Sequence, residues 1–205
     1  MSIIAITMAT RQWLRKRKQV NDKIPADMGN DPYISTDFLY GSIEAAQDTL
    51  LQAIETLSEE EMIWRPYPET PSTGFLIWHV ARVQDVLVHK YILEKPEIWT
   101  SQGWAQQFGL PIDETGQDYT GDQIAQFVEP QKEDLVDYLK TTFRSALRAV
   151  EFLASDESKK FSKDKMMQSI RYLVILNTHV NLHAGAINYI REVLSASHDL
   201  PEIAH

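Results

Sequence analysis

Apolar residues recur at helical spacing in four stretches of the chain, and nowhere do they alternate for long enough to build a sheet. Leu39, Ile43, Ala46, Leu50, Ala53 and Leu57 lie on one stripe of a first helix that begins after Ser35 or Thr36, both good N-caps. Ser58, with Glu61 three residues on, reads as a capping box for a short following turn, which Pro66 and Pro68 stop. A second helix opens at Pro71-Ser72-Thr73 and runs to about Leu93. It carries Leu76, His79, Val83, Val86 and Lys90 on one face, flanked by Ile77, Val80, Leu87 and Tyr91, and Pro96 ends it. The third helix follows Pro130 and buries Leu135, Leu139, Phe143, Ala146, Val150 and Leu153. After a polar connection from Ser155 to Lys165, the fourth runs from about Met166 to Leu194. Its stripe is Leu173, Leu176, Val180, His183, Ile187, Ile190 and Leu194, with His179 beside Val180.

Between Pro96 and Glu129 the periodicity fails. Gly103, Gly109, Pro111, Gly116 and Gly121 punctuate this stretch, and Trp99, Trp104, Phe108 and Tyr119 are scattered through it. So many aromatic residues argue against disorder, so short helical turns packed over one end of the domain are expected. Four long helices with a long crossover between the second and third predict an all-α four-helix bundle over residues 35–196. The heptad-like spacing predicts packing near +20°.

Composition narrows the class. With 43% hydrophobic and 24% charged residues, 8 Gly and 9 Pro, the 205-residue chain is globular and long enough for one well-filled core. No apolar run is long enough to span a membrane. The absence of Cys removes disulfides, thiolate metal sites and a cysteine nucleophile, and a reduced cytoplasm is the simplest home. The net charge of −9 argues against non-specific nucleic-acid binding. Charge is uneven, however: the first 24 residues carry six basic side chains against Asp22 alone, a net +5, so the rest carries −14. Residues 1–34 therefore read as a basic, partly irregular N-terminal extension, and residues 197–205 as a polar tail. The apolar start precedes the basic run, the reverse of a secretory signal.

Of six histidines, His198 and His205 fall in the tail, and His89 is expected near the exposed edge of its helix. His79, His179 and His183 differ because they occupy or adjoin core stripes. The H-x-x-x-H spacing projects both imidazoles of the pair from one face, with Cβ atoms about 6 Å apart, within reach of one metal ion. Two readings stay open at this level: three separately hydrogen-bonded core histidines, or a metal centre that uses their lone pairs together. Val180-Asn181-Leu182 lies between the pair, so the Glu of an H-E-x-x-H protease is absent.

An ordered set of motifs resembles the DinB/YfiT-like superfamily of small four-helix bundles. Leu57-Ser58-Glu59-Glu60-Glu61 leads into Trp64-Arg65-Pro66, as in that family's link between its first two helices. Leu76-Ile77-Trp78-His79-Val80 looks like its single-histidine helix, and Trp104 with Phe108-Gly109-Leu110-Pro111 like the crossover motif of one subgroup. His179-Val180-Asn181-Leu182-His183-Ala184-Gly185-Ala186-Ile187-Asn188-Tyr189-Ile190-Arg191 is similar to its H-x-x-x-H-x-G-x-I helix. The likeness covers about Asp37 to Leu194 and leaves out the basic N-terminus.

The resemblance implies a divalent metal, zinc or nickel, held by His79, His179 and His183, and a homodimer. Some relatives use such a site to activate a low-molecular-weight thiol for S-transfer or cis–trans isomerisation. Others are described as metal-dependent hydrolases. Many relatives carry Glu or Gln just after the H-x-G unit, where this chain has Ala186, which can neither accept from a ligand histidine nor move a proton. Three functions follow as expectations: a metal-dependent thiol transferase or isomerase, a metal-dependent hydrolase, and a non-catalytic binding or stress-response bundle. Hydrolysis needs a base; Asp85 is the candidate, but six residues from His79 it points round the helix and reads as a surface carboxylate. Arg82 reads as part of a surface salt bridge and Trp78 as packing. Trp104, Phe108 and Tyr119 are candidates for a lid over a small-molecule substrate, or for a satellite core beneath the crossover.

Overall fold

A computed structural model describes residues 36–198. The expected basic extension, and all of the tail but Ser197 and His198, lie outside these. The described residues form helices without a strand. The long ones are α1 (Thr36–Glu55), α3 (Thr73–Asp85), α7 (Lys132–Ala154) and α8 (Lys163–His198). Between them stand α2 (Glu59–Ile63), three short crossover helices, α4 (Ile98–Ser101), α5 (Trp104–Phe108) and α6 (Gly121–Ala125), and a 3₁₀ turn at Asp156–Lys160. α8 starts three residues before the position expected and carries on through Ser197 and His198. No helix among the described residues is long and apolar enough to cross a membrane.

Local chemistry sets the ends. Ser58 Oγ accepts from Glu61 N–H at 3.2 Å while Ser58 N–H donates back to Glu61 Oε2 at 2.6 Å, the capping box expected for α2. Ser72 Oγ accepts from Phe75 N–H at 3.0 Å and so starts α3. The stripes named above for α1, α7 and α8 are buried apart from His183, and merge in one apolar core. α1 packs on α8 and α7, and α3 on α7 and α8. Asn177 Nδ2 donates to Ser42 Oγ, and Arg191 Nη1 to Ala53 O. Residue numbers rise together along that seam, so α1 and α8 run parallel.

The second predicted helix departs from its pattern at Val86. From there to Leu93 it continues as a π-helix, whose i→i+5 bonds fit more residues into each turn. The stripe of period 3.6 therefore does not continue. Val88, His89 and Ile92 turn inward, while Lys90, placed on the core face by periodicity, is exposed.

Three residues assigned to the surface are buried instead. Arg82 and Asp85 are 0% exposed and His89 9%. The crossover folds back across α3 and covers them. Asp85 accepts from the N–H groups of Ile98 (3.0 Å) and Trp99 (2.8 Å), capping α4, and from Tyr138 Oη at 2.8 Å. His89 Nδ1 lies 2.7 Å from Asp85 Oδ1, a close contact without hydrogen-bond alignment. Arg82 donates to Glu97 Oε2 (2.8 Å) and to the carbonyls of Ile112 (3.3 Å) and Glu114 (3.1 Å), with its guanidinium 4.8 Å above the Trp99 ring. Unpaired, these buried charges would each cost several kcal/mol, roughly; paired, they fasten the crossover to α3. Burial, followed by the neighbouring Asp85 charge, raises the Tyr138 pKa well above its ordinary value, so the phenol stays a donor.

Candidate metal centre

His79 stands on α3, and His179 and His183 on α8, which packs against it. Their Nε2 atoms converge: His179 lies 3.0 Å from His79 and 3.1 Å from His183. Among the described residues this is the only cluster of three or more potential ligand side chains within 4.8 Å of one another, and no carboxylate joins it. His79 is buried, while His179 and His183 are half-buried, so the site can be reached from the surface. Phe75, one turn before His79 on α3, stacks parallel on its ring at 6.2 Å.

The other nitrogen of His79 fixes its tautomer. Nδ1 donates to the Thr115 carbonyl at 2.6 Å, so in the neutral ring Nε2 carries a lone pair aimed at the other two histidines. Thr115 is held in turn by Gly116, whose φ is +77°. A Cβ there would also lie 2.7 Å from Trp78 Cζ3 and 2.8 Å from Phe75 Cζ, so only glycine fits.

Hydrogen bonding among the histidines satisfies this arrangement only through a His179 N–H split between the His79 and His183 lone pairs, which weakens both bonds. Each Nε2 has one in-plane site, holding either a proton or a lone pair. If His179 donates to His79, its nitrogen has nothing left to accept from His183. If it accepts from His183, two lone pairs face each other at His79. One cation among the three nitrogens removes the conflict and uses every lone pair, so the residues present fit a divalent metal.

The electrostatics favour the same state. Burial lowers the pKa of all three imidazoles. For His79 the Thr115 hydrogen bond partly opposes this, whereas His179 is pushed further down by His183 and His79. His183 falls to about 3, through burial and then repulsion from His79. Neutral imidazoles are the ligating form. A stability prediction follows for the chelator-treated protein. The unfolded state takes up protons below about pH 6.5 while the folded state resists, so stability is full above that value and falls as pH drops from ~6.5 toward the folded pKa values. His183, whose folded pKa is about 3, should by itself cost about 1.4 kcal/mol by pH 5.5, and His79 and His179 act in the same direction. Urea midpoints at pH 7.5 and 5.5 should show this loss, and His183→Gln should reduce it by one histidine's share. Equal sensitivity in both proteins would contradict it.

The remaining sequence candidates are placed as follows. Trp78 is fully buried, as expected for packing. Tyr119 packs its ring 5.8 Å from Phe75 and 6.0 Å from Trp78, one ring removed from His79. Its hydroxyl donates to Glu114 Oε2, and burial followed by that carboxylate raises its pKa. Trp104 and Phe108 sit with Tyr138, at 5.4 and 6.0 Å, and Phe108 also meets Trp99, so they cover the Arg82–Asp85 network. Asp85 is committed to the start of α4 and is not directed at the histidines. Sequence reasoning missed Thr115, Gly116 and Phe75. Phe75 could have been found from its i, i+4 spacing to His79. A backbone carbonyl in an aperiodic stretch leaves no such signal.

Comparison with known proteins agrees with this architecture. A conserved protein from Enterococcus faecalis, known from its crystal structure, superposes with a TM-score of 0.64 at 21% identity, over 80% of this chain and 99% of that one. At that identity the likeness concerns the fold. No functionally curated protein matches the chain. The sequence model of the DinB superfamily matches residues 42–187, from within α1 to four residues beyond His183, and the chain belongs to that superfamily.

Proposed function

We propose that His79, His179 and His183 hold one divalent cation, zinc or nickel, and that the chain is a metal-dependent enzyme using a low-molecular-weight thiol, of the S-transferase or isomerase type. The observation that carries this reading is the convergence of three Nε2 atoms, whose lone pairs one cation satisfies more fully than a shared proton does. A divalent ion bound by neutral ligands alone keeps its full charge, and lowers the pKa of a thiol or water brought to it. The residues around it bind and orient. Thr115 sets the His79 tautomer, Phe75 shields one face of that ring, and the half-buried side of His179 and His183 leaves an approach.

The thiol is favoured over water because the cluster lacks a proton acceptor. No carboxylate joins the histidines, and Ala186 has no polar atom to offer. A thiol with its ordinary pKa of about 8.5 needs far less help to ionise than water does. The chain contains no cysteine, so the sulfur would come with the substrate.

Cobalt substitution tests the thiol directly. Chelator-treated, untagged protein loaded with cobalt should develop a thiolate-to-cobalt charge-transfer absorption when titrated with 2-mercaptoethanol. If cobalt binds and its spectrum ignores the thiol while the loaded protein hydrolyses p-nitrophenyl acetate, the hydrolytic reading takes its place.

A further inference from the structure

Thr115, whose carbonyl holds His79, also lines a cleft of about 470 Å³, a size typical of small-molecule sites. Val86, Tyr91 and Ile112 give it apolar wall, and Lys90 and Lys95 give it charge. We propose that this cleft binds a small organic anion, a carboxylate or phosphate carried on an apolar body, through Lys90 and Lys95, and that it anchors the substrate beside the histidine cluster. The anchoring role rests on the metal-enzyme reading above, whereas anion binding in the cleft does not.

Three observations converge on it. First, the chain turns sharply between the two lysines, and both line the cleft. The π-helix ends at Glu94, whose φ of 54° makes it the only non-glycine residue with positive φ among the described residues. The turn folds back, so that Lys95 N–H donates to His89 O at 2.8 Å, and Lys165 pins it from α8 through the Tyr91 carbonyl at 2.8 Å. Left-handed non-glycine residues and π-turns both cost energy and concentrate at functional sites.

Second, of the carboxylates near these lysines all but Asp113 are engaged elsewhere. Glu94 pairs with Lys165 at 2.6 Å, Glu97 with Arg82 at 2.8 Å, and Asp85 caps α4. No ion pair to Lys90 or Lys95 occurs among the described residues, and Asp113 is the one acidic wall residue without a described cation. Two lysines against Asp113 alone leave this cleft an excess of positive charge in a chain of net charge −9.

Third, the walls give an anion's organic body somewhere to go. Tyr91 is itself engaged, with Lys90 Nζ 5.7 Å from its ring centre and Tyr172 stacked on it at 5.3 Å, so the apolar wall open to a ligand's body is that of Val86 and Ile112. Thr115 lines the cleft and also holds His79, so the cleft and the cluster share a residue.

The test is a titration of chelator-treated protein with benzoate and with phenyl phosphate, followed by backbone amide shifts in NMR. Saturable shifts at residues 90–97 and 112–115 are expected for at least one of them, and the stronger of the two identifies the head group. Lys90→Gln/Lys95→Gln, at two exposed positions that leave the core intact, should weaken binding by about tenfold, the sum of two exposed charge contacts. No saturable shift there with either anion, or equal affinity in the variant, would overturn the proposal. Because metal is absent from this titration, the cleft can fail while the histidines still bind zinc, and the reverse.

Discussion

Zinc added to chelator-treated, untagged protein is expected to bind at one ion per chain, and to the His79→Ala/His183→Ala variant not at all under the same conditions. The expectation comes from the cluster's internal conflict. Three lone-pair nitrogens at 3.0 and 3.1 Å form a strained set without a cation and a ready-made face with one. Four-ligand structural zinc sites contribute about 10–16 kcal/mol, so each ligand accounts for roughly 3–4 kcal/mol. Losing two should weaken binding by about four to six powers of ten. The variant must be folded for the comparison to count, which circular dichroism would establish. Uptake of neither zinc nor nickel by the parent protein would sink the enzyme reading and leave three hydrogen-bonded core histidines in a binding protein.

Asp85→Ala is expected to lower stability by about 3–5 kcal/mol, read as a fall in the urea midpoint. The carboxylate is wholly buried and receives two backbone N–H groups and the Tyr138 hydroxyl, with Arg82 Nη1 at 3.5 Å. Removing it strands those donors and leaves Arg82 balanced by Glu97 alone. Asp85→Asn should recover only part of the loss, since an amide oxygen without charge replaces a carboxylate facing several donors. A loss below about 1 kcal/mol for the alanine variant would mean that the network is a minor fastening and that ring packing holds the crossover.

How far the sequence led depends on the range of the interaction. The stripes on α1, α7 and α8, and the capping boundaries at Ser58 and Ser72, were legible because they depend on residues within one or two turns. So was the His179–His183 pair, which one helix presents by itself. Arg82, Asp85 and His89 were misread as surface groups, since what buries them is aperiodic: the N–H groups of Ile98 and Trp99 and the carbonyls of Ile112 and Glu114. The inward turn of His89 and outward turn of Lys90 follow from a π-helix that a 3.6-residue period cannot describe. The second contact of His79 was out of sight for the first of these reasons.

That contact ties the crossover to the proposed metal site. Whenever residues around Thr115 lift from α3, His79 loses the acceptor that fixes its tautomer, and the competent cluster disperses. The apparent affinity for an ion is then the intrinsic affinity multiplied by the fraction of molecules in which the segment is docked. Linkage works in both directions, so a bound ion favours the docked segment by the same factor. Loosening Arg82, which holds the crossover through the Ile112 and Glu114 carbonyls, would weaken ion binding at a distance, and filling the cluster would tighten the loop that walls the lysine cleft.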